Sequence, residues 1–321
     1  MNEAAIISAA ELVGADAIYP GYGFLAENSS FAEKCNQSGF KFVGPNSQVI
    51  EIMGDKIKAK ELIESLGVPV VPGYTGEIKD QDHIEGIVEG IGYPVIVKAS
   101  AGGGGKGMRV VQNREELWDS VVSAQNEAEF AFGNGEVFIE KYLQKPRHIE
   151  VQVFGDGKGK VVHLFSRDCS LQRRYQKILE EAPARNLPED KLNKIQEICV
   201  SACSKLKYEG AGTLEFLYEN NEFYFIEMNT RIQVEHTVTE MITGVDLVQA
   251  QLSLAIEGKF ELEQEKLKIN GHAMQCRINA EDPETFIPSP GEITTVHRPG
   301  GYHVRFESQI YSGYKVPSNY D

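Results

Sequence analysis

Residues 93–111 read YPVIVKASAGGGGKGMRVV, and how that glycine run is classified decides the fold. A phosphate-binding P-loop needs G-x-x-x-x-G-K-[ST] running into a helix. Here Lys106 is followed by Gly107, and Met108-Arg109-Val110-Val111 resumes a strand. The dinucleotide fingerprint also requires a helix after the turn and fails for the same reason. What remains is strand, glycine loop, strand. Such a loop can close over phosphates, because bare backbone N–H groups approach oxygen closely. Protein kinases use that geometry, but their other signatures are absent. A hairpin tip in water has the same composition, so Lys98 carries the argument. An ammonium among β-branched core residues is costly without a partner, and an anion is the natural one.

Outward from the glycines, REELWDSVVSAQNEAEFAF (114–132) reads as a helix and EVFIEKYL (136–143) as a strand. They close a small module over 71–142. Before it, residues 2–13 form an amphipathic helix ending at Gly14, and DAIYPGYGF (16–24) a short strand and loop. NSSFAEKCNQSGFKFVG (28–44) reads as a Ser-capped helix stopped at Gly39 and then a strand, and GDKIKAKELIESLGVPVVP (54–72) as a further helix closed by Gly67. This alternation predicts an α/β unit with parallel strands over 1–70. It opens on a helix whose apolar face needs a sheet already present, so Met1 is expected to lie inside a larger fold. From 143 to 321 come alternating stretches with hairpins: 147–165, 213–229, 271–279 and 291–308, with helices near 188–207 and 244–257.

Across 321 residues the formal charge is −15, from 47 acids against 32 bases. That argues against a broad nucleic-acid surface, though a local cationic cluster can still hold a small anion. No stretch approaches the ~20 apolar residues of a membrane span, and the N-terminus lacks a signal pattern. Five cysteines without CxxC spacing indicate reduced thiols, with Cys199 and Cys203 as small core residues.

In FIEMNTRIQVEH (225–236) Glu227, Asn229, Arg231, Gln233 and Glu235 occupy every second position. On an extended chain they share one face. Glu215 and Glu227 flank Asn220-Asn221; a plain two-residue turn would set them on opposite faces, whereas a bulge or odd loop would set them together. Together, and with Asn229, they make an oxygen-only set suited to Mg²⁺ shared with nucleotide phosphates. Donors for a small anion and a further acid follow, an order that fits phosphoryl transfer and base-assisted attack. His148 and Glu150 share a face in RHIEVQV, and CSLQRRYQK (169–177) supplies Arg173, Arg174 and Lys177.

Taken together, KASAGGGGKGMRVV, EKYLQKPRHIEVQV, RRYQK and FIEMNTRIQVEH resemble biotin carboxylase of the ATP-grasp superfamily, along essentially the whole chain from GYGFLAEN to YKVPSNYD. That family is the ATP-using component of acetyl-CoA carboxylase, in fatty acid biosynthesis, and of its pyruvate, propionyl-CoA and methylcrotonyl-CoA relatives. The resemblance implies α/β and α+β architecture: a partial N-terminal Rossmann-like lobe, a glycine-lid module and a large mixed-sheet lobe. It implies MgATP (or MnATP) phosphorylating bicarbonate to carboxyphosphate, then carboxyl transfer to biotin on a carrier protein or domain. A carboxyltransferase, a homodimer in the complete protein and a cytoplasmic location, or the mitochondrial matrix in a eukaryote, are also implied.

By matching motifs, Lys56, Lys98, Gly103, Gly104, Gly105 and Met108 would hold ATP phosphates or cover them. Glu140, Lys141 and Leu143 would form the adenine edge, with His148, Gln172 and Leu217 at the nucleotide. Glu215, Glu227 and Asn229 would bind the metal. Lys177, Arg231, Gln233 and Val234 would hold bicarbonate, Glu235 would be the base, and Arg277 would steady carboxyphosphate and the biotin enolate. The family's chains extend further at both ends, Tyr175 stands where it usually has His, and Thr237 where it has Pro. Another ATP-grasp carboxylate–amine ligase and a non-catalytic nucleotide-binding or assembly module are the rival readings; biotin stimulation of ATP cleavage tests the first and MgATP stabilisation the second.

Overall fold

A computed structural model describes residues 2–99, 108–174 and 176–318. It divides into two compact units, Met1–Gln275 and Cys276–Asp321. The first unit begins with α1 (Glu3–Val13), β1 (Ala17–Ile18), α2 (Ser29–Gln37), β2 (Lys41–Phe42), α3 (Ser47–Gly54) and α4 (Lys56–Ser65). β1 and β2 pair in parallel, as the strand–helix alternation requires. Gly14 ends α1 at φ 63°, a left-handed cap that suits glycine. The cap of α2 is Asn28 rather than a serine: its side chain accepts from Phe31 N at 2.7 Å. Helix α3, capped by Asn46, has no counterpart in the sequence reading.

The module with the glycine run contains β3 (Gly73–Tyr74), α5 (Gln81–Ile91), β4 (Val95–Ala99), β5 (Met108–Val111), α6 (Leu117–Phe132) and β6 (Val137–Lys141). Its sheet has the order β3-β6-β4-β5, and Lys98 pairs directly with Met108 across the loop. Ile84, Val88, Leu117 and Val121 bury one face of that sheet with Val95, Val97 and Ile139. The α5 helix, interrupted by Gly86 and Gly90, escaped the periodicity reading. Both glycines weaken the helical signal, and burial of Ile84 and Val88 overrides it.

The remainder of the unit is a sheet of β7 (Arg147–Asp156), β8 (Val161–Arg173), β9 (Gln176–Ala182), β10 (Glu209–Glu219) and β11 (Glu222–Asn229), with α7 (Glu189–Lys205), α8 (His236–Thr243), α9 (Leu247–Glu257) and β12 (Ala273–Cys276). The strand order is β11-β10-β7-β8-β9-β12. The ladders described from β11 through β9 are antiparallel, and a parallel bridge joins Val70 to Phe225. Ile149, Val151, Leu214, Phe216 and Met228 point to one face, where Ile195, Cys199 and Cys203 of α7 and Ile63 of α4 cover them. The opposite face carries the polar residues.

In Cys276–Asp321 the expected hairpin strands are absent among the described residues. Only the bridges Glu281–Pro288 and Glu292–Lys315 occur. Alternation needs a partner strand and a core to bury its apolar side; here Ile278, Ile287 and Tyr302 are exposed.

On β8, His163 sits half-buried and its Nδ1 accepts from Phe165 N at 3.3 Å. Burial pushes its pKa down to about 4. The unfolded chain therefore takes up a proton near pH 6.5 that the folded one refuses, so stability is full above that pH and falls as pH drops toward 4. Screening at this partly wet site holds the loss to about 1–2 kcal/mol. Between pH 7 and 5 the unfolding midpoint should drop more in the native chain than in His163→Gln; parallel curves would contradict this origin.

Candidate active site

The polar face of the large sheet is built by register. Glu227 lies directly opposite Glu215, Glu215 opposite Glu150, and Glu150 opposite Arg167. A second row joins Asn229, Thr213 and Gln152. Neighbouring strands are ~4.8 Å apart, so the residues of each row stand side by side on one face. The Asn220-Asn221 turn has two residues, both at positive φ, and by itself would set the two glutamates out of phase. A bulge between Glu215 and Phe216, where Phe216 pairs with Phe225, absorbs Ile226 and restores them to one face.

The strand ends at Asn229. Arg231, Gln233 and Glu235 do not continue its face as extended chain: the backbone turns after Thr230 and enters α8, so the alternation is not strand beyond that point. The turn nevertheless folds two of them back. Gln233 Nε2 donates to Glu215 Oε1 at 2.6 Å, and Glu235 Oε1 lies 2.8 Å from Lys177 Nζ. Lys177 comes from β9 and also reaches Glu150 and, at 2.8 Å, Glu215. His148 Nε2 is 2.8 Å from Glu215 Oε2 and 3.4 Å from Glu150 Oε1.

Arg167, fully buried, organises the base of this cluster. Its Nε donates to Glu150 at 2.8 Å, Nη1 to Gln152 at 2.5 Å and Thr239 at 3.0 Å, and Nη2 to Thr213 at 3.0 Å and Gln233 at 2.7 Å. Every guanidinium N–H is used.

The charges support one another. Burial works against Lys177's charge, yet Glu150, Glu215 and Glu235 raise its pKa above the ordinary value. Burial likewise opposes a charged His148, but Glu150 and Glu215 lift it to about 9. Burial would raise Glu150; Lys177 and Arg167 hold it well below the usual carboxylate range. Glu215, desolvated and facing Glu150, is still lowered by His148 and Lys177. Glu227 is the exception. Burial and then Glu215 push its pKa up, and it has no hydrogen bond or ion pair among the described residues.

An orphaned carboxylate beside a second one, with the Asn229 amide next in line, fits a hard divalent cation. Glu227 and Asn229 also line a cleft of about 310 Å³ with Lys56, Glu27, Met53 and Thr230. Lys98 has found an anion within the chain: Glu140, at 2.6 Å, which also binds Lys60 at 2.7 Å. Lys141 donates its ammonium to the carbonyls of Gly92 and Tyr93 and its backbone N–H to Pro72 O. Gln172 turns to Cys169 O at 2.9 Å. Leu217 pairs with His148 across β10 and β7, Leu143 lies between β6 and β7, and Val234 is in the turn before α8. Gly103, Gly104, Gly105 and Tyr175 fall outside the described residues. Arg277 belongs to the second unit. Thr237, in the first turn of α8, hydrogen-bonds Gln275, a place where proline is also tolerated.

Comparison with known proteins shows the family. Family models match in sequence along the chain: "Biotin carboxylase, N-terminal domain" at 1–50, "Carbamoyl-phosphate synthase L chain, ATP binding domain" at 55–263 and "Biotin carboxylase C-terminal domain" at 275–321. Biotin carboxylase of Haemophilus influenzae is 55% identical over 100% of this chain and 72% of its own length. The chain belongs to the biotin carboxylase family. A crystal structure of biotin carboxylase with β,γ-ATP from Campylobacter jejuni is 51% identical, with TM-score 0.90 over 99% of this chain and 71% of that one. The biotin carboxylase domain dimer of Hydrogenobacter thermophilus 2-oxoglutarate carboxylase, in complex with MgADP, ADP and bicarbonate, is 49% identical, with TM-score 0.89 over 100% and 71%. The fold is thus the ATP-grasp fold, and the family's chemistry is ATP- and bicarbonate-dependent carboxylation of biotin by a ligase. No helix among the described residues is long and apolar enough to cross a membrane.

Sequence reasoning missed Arg167, Glu27 and Lys60. Arg167 lies in LFSRDCS, where strand parity is broken by Phe165 at φ 65°. Glu27 and Lys60 meet partners more than 75 residues away, and no local pattern points to such pairs.

Proposed function

We propose that the polar face of the large sheet is the site at which this chain phosphorylates bicarbonate and passes its carboxyl group to biotin. The row Glu227–Glu215–Glu150–Arg167, closed by Lys177 and Glu235, carries this reading. Glu215, Glu227 and Asn229 would hold Mg²⁺ or Mn²⁺, which supplies charge neutralisation for the nucleotide phosphates. Lys56, which lines the cleft, and Lys98, once exchanged from Glu140, are assigned to the phosphate oxygens. Lys177, Arg231, Gln233 and the Val234 amide would seat bicarbonate.

Glu235 accepts the bicarbonate proton as its oxygen attacks the γ-phosphorus; the bond to ADP breaks and carboxyphosphate forms. Lys177, 2.8 Å from Glu235, offsets the negative charge that gathers on bicarbonate as its proton leaves. The carboxyl carbon then bonds to the ureido N1 of biotin as its bond to the phosphate oxygen breaks, and the departing phosphate takes up the N1 proton. Arg277 is assigned to carboxyphosphate and the biotin enolate. His148, Gln172, Leu217, Met108, Leu143, Glu140 and Lys141 are assigned to nucleotide positioning, with 103–105 in the lid. The three lobes at 1–70, 71–142 and 143–321 are proposed as the working parts. A biotin carrier, a carboxyltransferase and a second copy are proposed as partners, and the cytoplasm as the location, in keeping with free cysteines.

The test is thermal. MgATP at a hundred times its Kd should stabilise the native chain by about 2.7 kcal/mol. Glu227→Gln removes a carboxylate that has no partner among the described residues, so its unliganded melting should hardly change while the MgATP gain disappears. A variant that keeps the full gain would remove Glu227 from the metal site.

A further inference from the structure

We propose that Glu27, which no assignment above includes, is a positioning residue for Arg231: it sets the guanidinium so that its unused N–H groups face the bicarbonate seat. The inference rests on the bicarbonate role given to Arg231. Glu27 Oε2 accepts from Arg231 Nε at 2.8 Å, and Glu27 Oε1 accepts from the Thr230 backbone N–H at 3.1 Å. Both atoms of the carboxylate are therefore committed, one to the side chain and one to the backbone beside it. Arg231 Nη2 donates to Asn229 Oδ1 at 2.8 Å and Nη1 to Ile232 O at 3.2 Å. Of the five N–H groups of a guanidinium, one on each terminal nitrogen has no partner among the described residues and is left for an oxyanion.

An ordinary surface ion pair contributes little, because two long side chains must be held and water screens them. Glu27 differs in its mounting. Ala26 before it is buried, and Asn28 after it caps α2 through Phe31 N at 2.7 Å. The carboxylate is thus presented by a fixed backbone of the N-terminal lobe to a segment just past β11. Its partner strand end carries Asn229 and Glu227, so a shift of Arg231 would be felt where bicarbonate must meet the nucleotide.

Glu27→Gln keeps the shape but offers a single acceptor oxygen, which cannot serve both Thr230 N–H and Arg231 Nε. Steady-state kinetics of the full chain should show the bicarbonate KM raised by about tenfold, with the MgATP KM and the MgATP melting gain within about twofold of native. Glu27→Asp, which keeps the charge but is a methylene shorter, should move bicarbonate KM in the same direction. In an Arg231→Met background Glu27→Gln should add less than about twofold, because Glu27 acts through Arg231. Unchanged bicarbonate KM in both Glu27 variants overturns the proposal, as does an undiminished effect in the Arg231→Met background or an equal rise in both substrates' KM, which marks a mere tether between lobes. If Arg231→Met itself leaves bicarbonate KM unaltered, the role of Arg231 fails first and Glu27 with it.

Discussion

Arg167→Met should lower the unfolding free energy by about 3–5 kcal/mol, the largest stability loss expected of any single change at the site. The arginine is fully buried, so water cannot replace what it provides. Its loss strips Glu150 Oε2 of a donor at 2.8 Å, takes the Arg167 donor from the Gln233 amide oxygen, and leaves the Gln152 amide oxygen only a long contact from Thr213 Oγ1 at 3.5 Å. Lys177 and His148 still face Glu150, which keeps the carboxylate from being wholly unpaired. Arg167→Lys should recover only part of the loss: an ammonium has three donors and no planar fork, whereas five acceptors from β7, β10, α8 and the turn before α8 are arranged around this guanidinium. Adding Glu150→Gln to Arg167→Met should be less damaging than the sum, because it removes the acid that the arginine neutralised. Urea midpoints of the three variants decide the matter. A loss under ~1 kcal/mol in Arg167→Met would mean that the network relaxes without it.

The polar face owed to Arg167 was largely visible beforehand in β7, β10 and β11. In HIEVQV, TLEF and IEMN, polar and apolar residues alternate, and parity within each strand groups His148 with Glu150, Thr213 with Glu215, and Glu227 with Asn229. The Glu215–Glu227 encounter needed one further fact, the bulge at Ile226, and the sequence offered it only as an alternative to a plain turn. Parity fails on β8, where Phe165 at φ 65° and a shifted register break the count, so Arg167 could not be assigned. It fails again after Asn229. There a pattern that looks like strand is a turn entering α8, and Gln233 and Glu235 reach the cluster by folding back. Long-range ion pairs such as Lys98–Glu140 are invisible in principle: the sequence demanded an anion for Lys98 but could not say that the chain itself supplies it. The stretch 291–308 shows the converse error. Alternation is present, yet with no partner strand and no core beneath it no strand forms among the described residues.

Glu235→Gln should cut bicarbonate-dependent phosphate release from MgATP by roughly 10²–10⁴-fold, the usual worth of a positioned general base. The position argues for that role. Glu235 is 2% exposed and stands at the N-cap of α8, yet its side chain makes no cap hydrogen bond. A buried carboxylate at that place would ordinarily accept from the first-turn amides; here it turns to Lys177 Nζ at 2.8 Å. The amide in Glu235→Gln can still accept from Lys177, and Glu150 and Glu215 continue to compensate the ammonium, so the unfolding midpoint should move by less than ~1 kcal/mol. The MgATP melting gain should persist, since Glu227, Glu215 and Asn229 are untouched. Loss of turnover together with intact folding and intact nucleotide binding separates a proton-transfer role from a structural one. Glu235→Asp should recover some rate, because it restores a base at a slightly greater distance. Undiminished turnover in Glu235→Gln would instead direct the search for the base to the other acids that share Lys177, Glu150 and Glu215.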